Sequence, residues 1–318
     1  MKEYSLNQLD PMDFMKMPVM RETAIRAAGT EIPDAERTIN EIAAALHPKA
    51  LSLEVCRIED ESDTMRSYWL KNADGEQPLP YFESGAYLPI EVVVNGVRYR
   101  RPYSISSSPK DAGKGYCRIS VKQVRGGIVS NAIIDSFRVG TTIKAAAPLG
   151  QVTCSRIRDA GHVVDLAGGS GITPFVSMAH SVMEKIDDYT LTILYGARTK
   201  EDLAFYTELK EIAEKCDKVR VIPVLSEKAE EGFESGFITK ELIEKYCNPS
   251  ISSFYICGPG AMHTAMDRVL EPFGLERKWI RHEVHGEPVR DDDKAKDVTL
   301  TLCLHGKKQS IAGSTCEP

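Results

Sequence analysis

The chain has 318 residues, of which 42% are hydrophobic and 27% charged, and its formal net charge is −6. This length allows two domain cores, because single domains usually hold roughly 100–200 residues. The negative charge argues against a general nucleic-acid-binding protein, which needs a basic face. No apolar run approaches the roughly 20 residues of a membrane helix.

The cysteines and the N-terminus favour a reducing compartment. The eight cysteines are scattered and form no C-x-x-C pair, so the sequence predicts neither a zinc site nor a disulfide framework. The N-terminal segment contains acids and has no apolar core, unlike a secretory signal. We therefore expect a cytoplasmic protein that holds no metal ion.

Residues 1–49 form an N-terminal extension that is rich in Met and contains one predicted helix, DAERTINEIAAALHP. Asp34 can cap this helix, and Pro48 lies just beyond its end. The extension carries no functional signal, and we expect it to pack on the protein or to contact a partner.

The next region, residues 50–155, changes to short runs rich in Val, Ile and Thr: LSLEVCRI, YLPIEVVV, CRISVKQV and TTIKAAA. Turn signals such as NADG, NG and DAGKG separate these runs. Short strands at this spacing are typical of an antiparallel sandwich or barrel.

Residues 156–287 alternate strands with helices. The runs HVVDLAGG, LTILYGA, VRVIPVLS and SFYICGP are apolar, as expected for strands that are buried on both faces. The segments TPFVSMAHSVMEKI, KEDLAFYTELKEIAEK, TKELIEKY and AMHTAMDRVLEPF are helical in pattern. This alternation predicts an α/β domain with a doubly wound parallel sheet. A charged linker, residues 288–297, and a strand-like run, residues 298–318, follow.

Two candidate ligand motifs lie in the first of these regions. RYRRPYSISSSP offers guanidinium groups that can grip a diphosphate, an aromatic face and small hydroxyl donors; they belong to Arg98, Arg100, Arg101, Tyr103, Ser104 and Ser106. In KQVRGGIVSNAIID, Gly126 and Gly127 allow close backbone approach, and Ser130 can cap a helix whose start binds phosphate. Alone, the first motif is more often just a solvated face, and the second could equally be a simple turn and N-cap.

Two more candidate ligand motifs lie in the α/β region. VVDLAGGSGITPFVSM takes a buried strand into Gly168, Gly169 and Gly171 and then into a helix with Pro174 at its first position. SFYICGPGAM opens another strand into a glycine–proline loop, with Cys257 at the strand's carboxyl end, where open α/β sheets bind ligands. A lone buried cysteine is more often inert core.

Together the four motifs resemble, in order, those of the ferredoxin–NADP reductase superfamily. RPYS is similar to its R-x-Y-S flavin motif, GGIVS to its flavin pyrophosphate loop, GGSGITP to its pyridine-nucleotide loop and CGPGAM to its C-G-P-x-x-M motif. The resemblance covers about residues 50–287 and implies a Greek-key flavin barrel followed by the α/β domain. It is strongest to reductase components of oxygenases and demethylases that carry a C-terminal plant-type 2Fe–2S ferredoxin domain.

The resemblance implies a role for each matching residue. Ser104, Cys257 and Glu283 would be catalytic, with Ser104 and Glu283 near the flavin and Cys257 beside the nicotinamide. Arg101 would hold the flavin phosphate, and Tyr103 would pack on the ring system. The implied cofactor-binding residues are Arg101, Pro102, Tyr103, Ser104, Gly126, Gly127, Ile128, Val129, Ser130, Gly169, Gly171, Thr173, Pro174, Arg198, Ser226, Glu227, Cys257, Gly258, Pro259 and Met262.

The sequence departs from the family in three places. Ser84, Gly85 and Ala86 stand where Pro-Gly-Gln is frequent, and residues 147–150 read Ala-Pro-Leu-Gly instead of Gly-Pro-x-Gly. His285 occupies a common aromatic position, which weakens the expected cover over the flavin.

These features predict a flavoprotein that moves a hydride from NAD(P)H to FAD and then single electrons to an iron–sulfur acceptor. FAD is favoured over FMN because the chain has a separate pyrophosphate loop. NADH is slightly favoured: Glu227 would repel a 2′-phosphate, although Arg198 and Lys200 could bind one. The alternatives are a non-catalytic flavin-binding electron-transfer subunit, which usually carries a cysteine cluster absent from this sequence, and a binding protein that has lost its flavin.

The run VTLTLCLHGKKQSIA resembles the opening hairpin of a plant-type 2Fe–2S domain. Cys303 and Cys316 lack the C-x₄-C-x₂-C spacing that such a cluster needs. We therefore expect no cluster in this chain, and one in a longer natural protein. The iron–sulfur acceptor would be that missing domain or a separate protein. The alternative is a terminal hairpin without function.

Overall fold

The computed structural model describes residues 48–75, 78–150, 152–155, 157–227, 229–283, 297–304 and 307–314. The predicted N-terminal helix, most of the charged linker and His285 lie outside these residues. The described strands are β1 Leu51–Ser62, β2 Met65–Asn72, β3 Tyr87–Val94, β4 Val97–Ser104, β5 Tyr116–Lys122, β6 Thr142–Ala145, β7 His162–Gly168, β8 Thr190–Ala197, β9 Val219–Leu225, β10 Glu234–Ser235, β11 Ser252–Cys257, β12 Ile280–Glu283, β13 Asp297–Leu304 and β14 Lys307–Ser314. The described α-helices are α1 Pro109–Gly113, α2 Ile128–Ser136, α3 Thr173–Met183, α4 Tyr206–Lys215, α5 Lys240–Tyr246 and α6 Gly260–Leu270.

The first six strands form one antiparallel sheet in the order β4-β3-β6-β1-β2-β5. A bridge between Ile105, just after β4, and Ile119 of β5 joins the two ends of this order and closes the sheet. Alternate residues of β3, namely Leu88, Ile90 and Val92, point into the apolar core. The predicted Greek-key barrel is therefore confirmed.

The next six strands form a parallel sheet in the order β10-β9-β8-β7-β11-β12. The chain runs outward from β7 in one direction and then returns to add β11 and β12 on its other side. Ligands bind at such a reversal, beyond the carboxyl ends of the strands. Val163 and Ala167 of β7 contribute to the core on one face, and Val164 and Leu166 to the core on the other. The predicted doubly wound α/β fold is confirmed.

Two expectations for the α/β domain are corrected. The helix predicted over residues 200–215 is broken into a 3₁₀ turn, Lys200–Asp202, and α4, because Phe205 adopts a left-handed backbone conformation with φ of 61°. Strand β7, predicted as apolar, contains the fully buried Asp165, whose carboxyl oxygens have no hydrogen-bond partner among the described residues. Burial raises the pKa of Asp165 well above its ordinary value, because an apolar environment disfavours the charged carboxylate.

Strands β13 and β14 pair in antiparallel register, from Asp297 opposite Ser314 to Leu304 opposite Lys307. The predicted hairpin is therefore present, and its assignment to the start of a ferredoxin-like domain stays a prediction. Among the described residues, no helix combines the length and apolar character needed to cross a membrane.

Candidate functional site

The three residues predicted to be catalytic meet where the barrel contacts the carboxyl edge of the parallel sheet. The Ser104 hydroxyl, at the end of β4, donates to Oε1 of Glu283 at 3.2 Å. Cys257 and Glu283 are register partners at the ends of β11 and β12. All three side chains are buried. Residues separated by up to 179 positions thus form one small cluster.

Cys257 is a neutral thiol in this cluster. Burial raises its pKa well above the ordinary value, and the carboxyl groups of Glu283 and Asp165 raise it further. A thiolate is therefore disfavoured, which agrees with the expectation that Cys257 does not act as a nucleophile.

The two glycine loops of the α/β domain interlock beside Cys257. A Cβ atom on Gly171 would lie 2.1 Å from the carbonyl oxygen of Cys257, so only glycine fits there. Met262 packs against both loops, because its Sδ would lie 2.5 Å from a Cβ on Gly168 and 2.6 Å from one on Gly258. The predicted nucleotide loops are therefore one packed unit.

Both loops lead into helices. Thr173 begins α3 and donates its hydroxyl to the Ser170 carbonyl at 3.1 Å. Pro174 takes the second position of α3, one residue later than predicted, where the backbone N–H also lacks an intrahelical acceptor. Pro259 is the N-cap of α6, and no side chain caps that helix start.

On the barrel, β4 presents a ligand face. Arg101 and Pro102 are exposed, and Tyr103 is half-buried against the barrel core. Burial raises the pKa of Tyr103 to about 12, although the Arg101 charge opposes this shift. Arg101 and Tyr103 are two residues apart and so lie on the same side of the strand. Ser106, expected to offer its hydroxyl to a ligand, is instead fully buried and hydrogen-bonds to Ser120.

The second barrel motif is a helix start with a different cap from the one predicted. Helix α2 begins at Ile128, Gly127 is its N-cap, and no side chain caps it. Ser130 lies within the first turn, and its hydroxyl accepts from the Val124 N–H at 3.3 Å, so its prediction as the cap was wrong. An N-terminus without a side-chain cap can bind a phosphate through its backbone N–H groups.

Two further features frame the nucleotide side. Lys122, at the end of β5, places its Nζ 3.4 Å from where a Cβ on Gly169 would lie, so the barrel contributes a cation to the nucleotide loop. Sequence reasoning missed this lysine because nothing in CRISVKQV indicates what lies opposite it. Arg198 lies between two carboxylates, with Nη1 at 3.9 Å from Glu227 and Nε at 3.4 Å from Asp202.

Comparison with known proteins agrees with this geometry. Residues 52–154 match the oxidoreductase FAD-binding domain, and residues 166–268 match the oxidoreductase NAD-binding domain. Flavohemoprotein A of Dictyostelium discoideum is 31% identical over 247 residues, which cover 73% of this chain and 59% of that protein. The chain thus spans less than two thirds of that relative.

Solved structures show the same two-domain arrangement. The flavohem-like FAD/NAD-binding domain of nitric oxide dioxygenase from Vibrio cholerae has a TM-score of 0.66 at 25% identity, covering 74% of this chain and 99% of that one. The cytochrome P450 reductase GcoB of Amycolatopsis has a TM-score of 0.65 at 26% identity, covering 80% of this chain and 73% of that one. The chain therefore belongs to the oxidoreductases that carry an FAD-binding domain followed by an NAD-binding domain.

Proposed function

We propose that this chain transfers a hydride from NADH to FAD and passes the electrons singly to an iron–sulfur acceptor. The observation that carries this proposal is the convergence of Ser104, Glu283 and Cys257, which come from both domains and meet at the reversal of the parallel sheet. Hydride transfer needs donor and acceptor at near contact, roughly 3–3.5 Å apart. Two ligand-binding domains that meet at this cluster can bring the two cofactors together.

The barrel residues fit FAD. Exposed Arg101 offers a fork of donors to a diphosphate, and the start of α2 offers backbone N–H groups to the same kind of ligand. Tyr103 offers an aromatic face beside them. Bound FAD would supply the hydride acceptor and the one-electron chemistry. The buried Ser104–Glu283 pair would keep water from the reacting edge.

The α/β residues fit a nicotinamide dinucleotide. Gly169 and Gly258 of the interlocked loops are half-buried, so their backbone can meet a pyrophosphate, and Lys122 adds a positive charge beside Gly169. The neutral thiol of Cys257 offers a small, uncharged contact for the nicotinamide ring. No general base is required, because a hydride carries its own electron pair.

A preference for NADH rests on the surroundings of Arg198. Glu227 and Asp202 both approach its guanidinium, so a 2′-phosphate would meet two carboxylates as well as one cation. Lys200, the other candidate, approaches Glu230 at 3.8 Å. A carboxylate at this place suits a ribose hydroxyl better than a phosphate.

The iron–sulfur acceptor rests on the resemblance of the C-terminal run to the opening of a plant-type ferredoxin. To test it, the chain is reduced anaerobically with NADH and mixed with oxidised plant-type 2Fe–2S ferredoxin. We expect reoxidation of the flavin to coincide with bleaching of the ferredoxin. Reoxidation by ferricyanide but not by ferredoxin would contradict the proposed acceptor while leaving the hydride step intact.

A further inference from the structure

We propose that Arg118 of the barrel and Glu208 of the α/β domain form a joint that sets how closely the nicotinamide approaches the flavin. This inference rests on the proposed function, because it assigns Arg118 as a positioning residue for hydride transfer. Neither residue belongs to the four ligand motifs.

The two side chains form a two-pronged ion pair between the domains. Arg118 lies on β5 and is only 5% exposed. Its Nη1 donates to Oε2 of Glu208 at 3.0 Å, and its Nη2 donates to Oε1 at 2.8 Å. Paired bonds of this kind fix orientation as well as distance, which a single-point contact does not.

The remaining surface of the guanidinium is also in contact with both domains. Its Nε donates to the Ser106 hydroxyl at 3.1 Å, and Nη2 donates to the Ser106 carbonyl at 2.6 Å. The Trp69 ring of the barrel lies 5.2 Å from the guanidinium carbon, and the Phe205 ring of the α/β domain lies 4.8 Å from it. Arginine suits this place because its planar group can both stack and form paired bonds.

Phe205 and Glu208 are held at the joint by an unusual stretch of backbone. Phe205 has φ of 61° and ψ of 8°, a left-handed conformation that bulky residues seldom adopt. This turn buries the Phe205 ring and starts α4, which carries Glu208 one turn later. Strain that persists at one position is a reason to look for a function there.

His180 of α3 secures the carboxylate from a second helix, because its Nε2 hydrogen-bonds to Oε1 of Glu208. Burial alone would raise the pKa of Glu208. The hydrogen bonds from His180 and Arg118, with the Arg118 charge, outweigh it and hold that pKa at about 2. Glu208 is therefore ionised at any ordinary working pH.

The joint connects directly to the flavin motif. Ser104 contacts Glu283, and Ser106, two residues later, contacts Arg118. The Ser107 carbonyl accepts a 2.7 Å hydrogen bond from the Ser177 hydroxyl of α3. The Ser108 hydroxyl donates to Glu184 at the end of that helix. A change at Arg118 therefore moves the strand end that bears Ser104 relative to the nicotinamide domain. A misplacement of about 1 Å can slow a reaction roughly 100-fold.

The test compares Glu208→Gln with the wild type and with Glu211→Gln. Glu211 lies on the same helix but pairs with exposed Lys215 at 3.3 Å. The measurements are FAD content, the Kd for NADH and the limiting rate of flavin reduction in anaerobic stopped flow. Reduction by dithionite, which does not use the nicotinamide-binding domain, is the reference. For Glu208→Gln we expect unchanged FAD content and dithionite reduction, a Kd within about threefold, and a limiting rate at least about tenfold lower. Glu211→Gln should match the wild type.

A structural role alone would lower the melting temperature and leave the limiting rate within about twofold of the wild type, and that result would overturn the proposal. If Glu208→Gln does not fold, His180→Gln removes one bond to the same carboxylate, and its limiting rate should fall about threefold. An unchanged rate in folded His180→Gln would then overturn the proposal. A wild-type protein that NADH does not reduce would instead refute the proposed function, and this inference with it.

Discussion

The two halves of the site are built in opposite ways. The flavin half is open: Arg101 and Pro102 are exposed on β4, and α2 starts without a side-chain cap. The nicotinamide half is closed: Gly171 touches the Cys257 backbone, and a fully buried carboxyl group, that of Asp165, lies in the adjacent strand. The open half depends on charge and the closed half on shape. Each should therefore fail under a different kind of substitution.

The largest effect is expected in the closed half, from Gly171→Ala. A Cβ there would lie 2.1 Å from the Cys257 carbonyl, so the two nucleotide loops must separate. We expect FAD to remain bound while flavin reduction by NADH falls by about 100-fold or more. The control is Gly161→Ala, just before β7 and outside both loops, where the added methyl meets no atom within 4 Å. A Gly171→Ala protein that NADH reduces at the control's rate would show that the loop contact is dispensable.

In the open half, Arg101→Ala should weaken FAD binding. The lost charge-assisted bonds are worth about 1.5–3 kcal/mol each, which corresponds to a rise in Kd of roughly 10- to 150-fold per bond. Reconstitution of the apoprotein with FAD, followed by flavin fluorescence, measures this change. Arg98→Ala, at an exposed position on the opposite side of β4, is the matched control. Equal losses in both variants would mean that general positive charge, and not Arg101, holds the phosphate.

The rim of the closed half can be tested through nucleotide choice. Glu227→Ser removes one of the two carboxylates that approach Arg198 and leaves that cation available to a 2′-phosphate. We expect the ratio of kcat/KM for NADPH over NADH to rise about tenfold, the scale of one charged contact. Glu231→Ser, an exposed acid in the following loop, should leave the ratio unchanged. A wild-type enzyme that already favours NADPH by more than about tenfold would contradict the NADH assignment.

The buried acid gives the closed half a pH dependence. The pKa of Asp165 is raised in the folded protein, so the stability that its bound proton contributes is fully present below the ordinary carboxyl pKa. Above that value the unfolded chain releases this proton, and the folded state loses stability by up to about 1.4 kcal/mol per pH unit. In urea unfolding, Asp165→Asn should therefore gain stability relative to the wild type as the pH rises above the ordinary carboxyl pKa of about 4. A pH-independent difference would indicate that Asp165 is ionised in the fold.

The smallest effect is expected from Cys257→Ala. The thiol is neutral and small, so its removal should slow flavin reduction by only about three- to tenfold and leave FAD bound. Stopped-flow reduction at the wild-type rate would remove Cys257 from the site.

Local chemistry explains which parts of this molecule the sequence could predict. The strands and glycine loops were predictable because their signals lie within a few adjacent residues, as in RPYS and GGSGITP. The start of α2 was misplaced because Gly127 and Ser130 both suit an N-cap, and only the backbone decides between them. The helix over residues 200–215 was predicted to be unbroken because its sequence pattern is continuous. The structure breaks it at Phe205, where packing of the side chain overrides that pattern.

The domain joint could not be predicted, since Arg118 and Glu208 are 90 residues apart and neither belongs to a motif. The burial of Asp165 was missed for a related reason. One acid in an apolar strand does not disturb the strand pattern, and its surroundings come from other elements. Pairings between distant residues therefore carry the information that the motifs lack.

The central claim is that this chain moves a hydride from NADH to its own FAD. The most direct measurement is anaerobic titration of the FAD-loaded protein with NADH while the flavin absorbance is recorded. The account predicts that one NADH bleaches one FAD, and that NADH deuterated at nicotinamide C4 slows the bleaching. Bleaching by dithionite but not by excess NADH would contradict it.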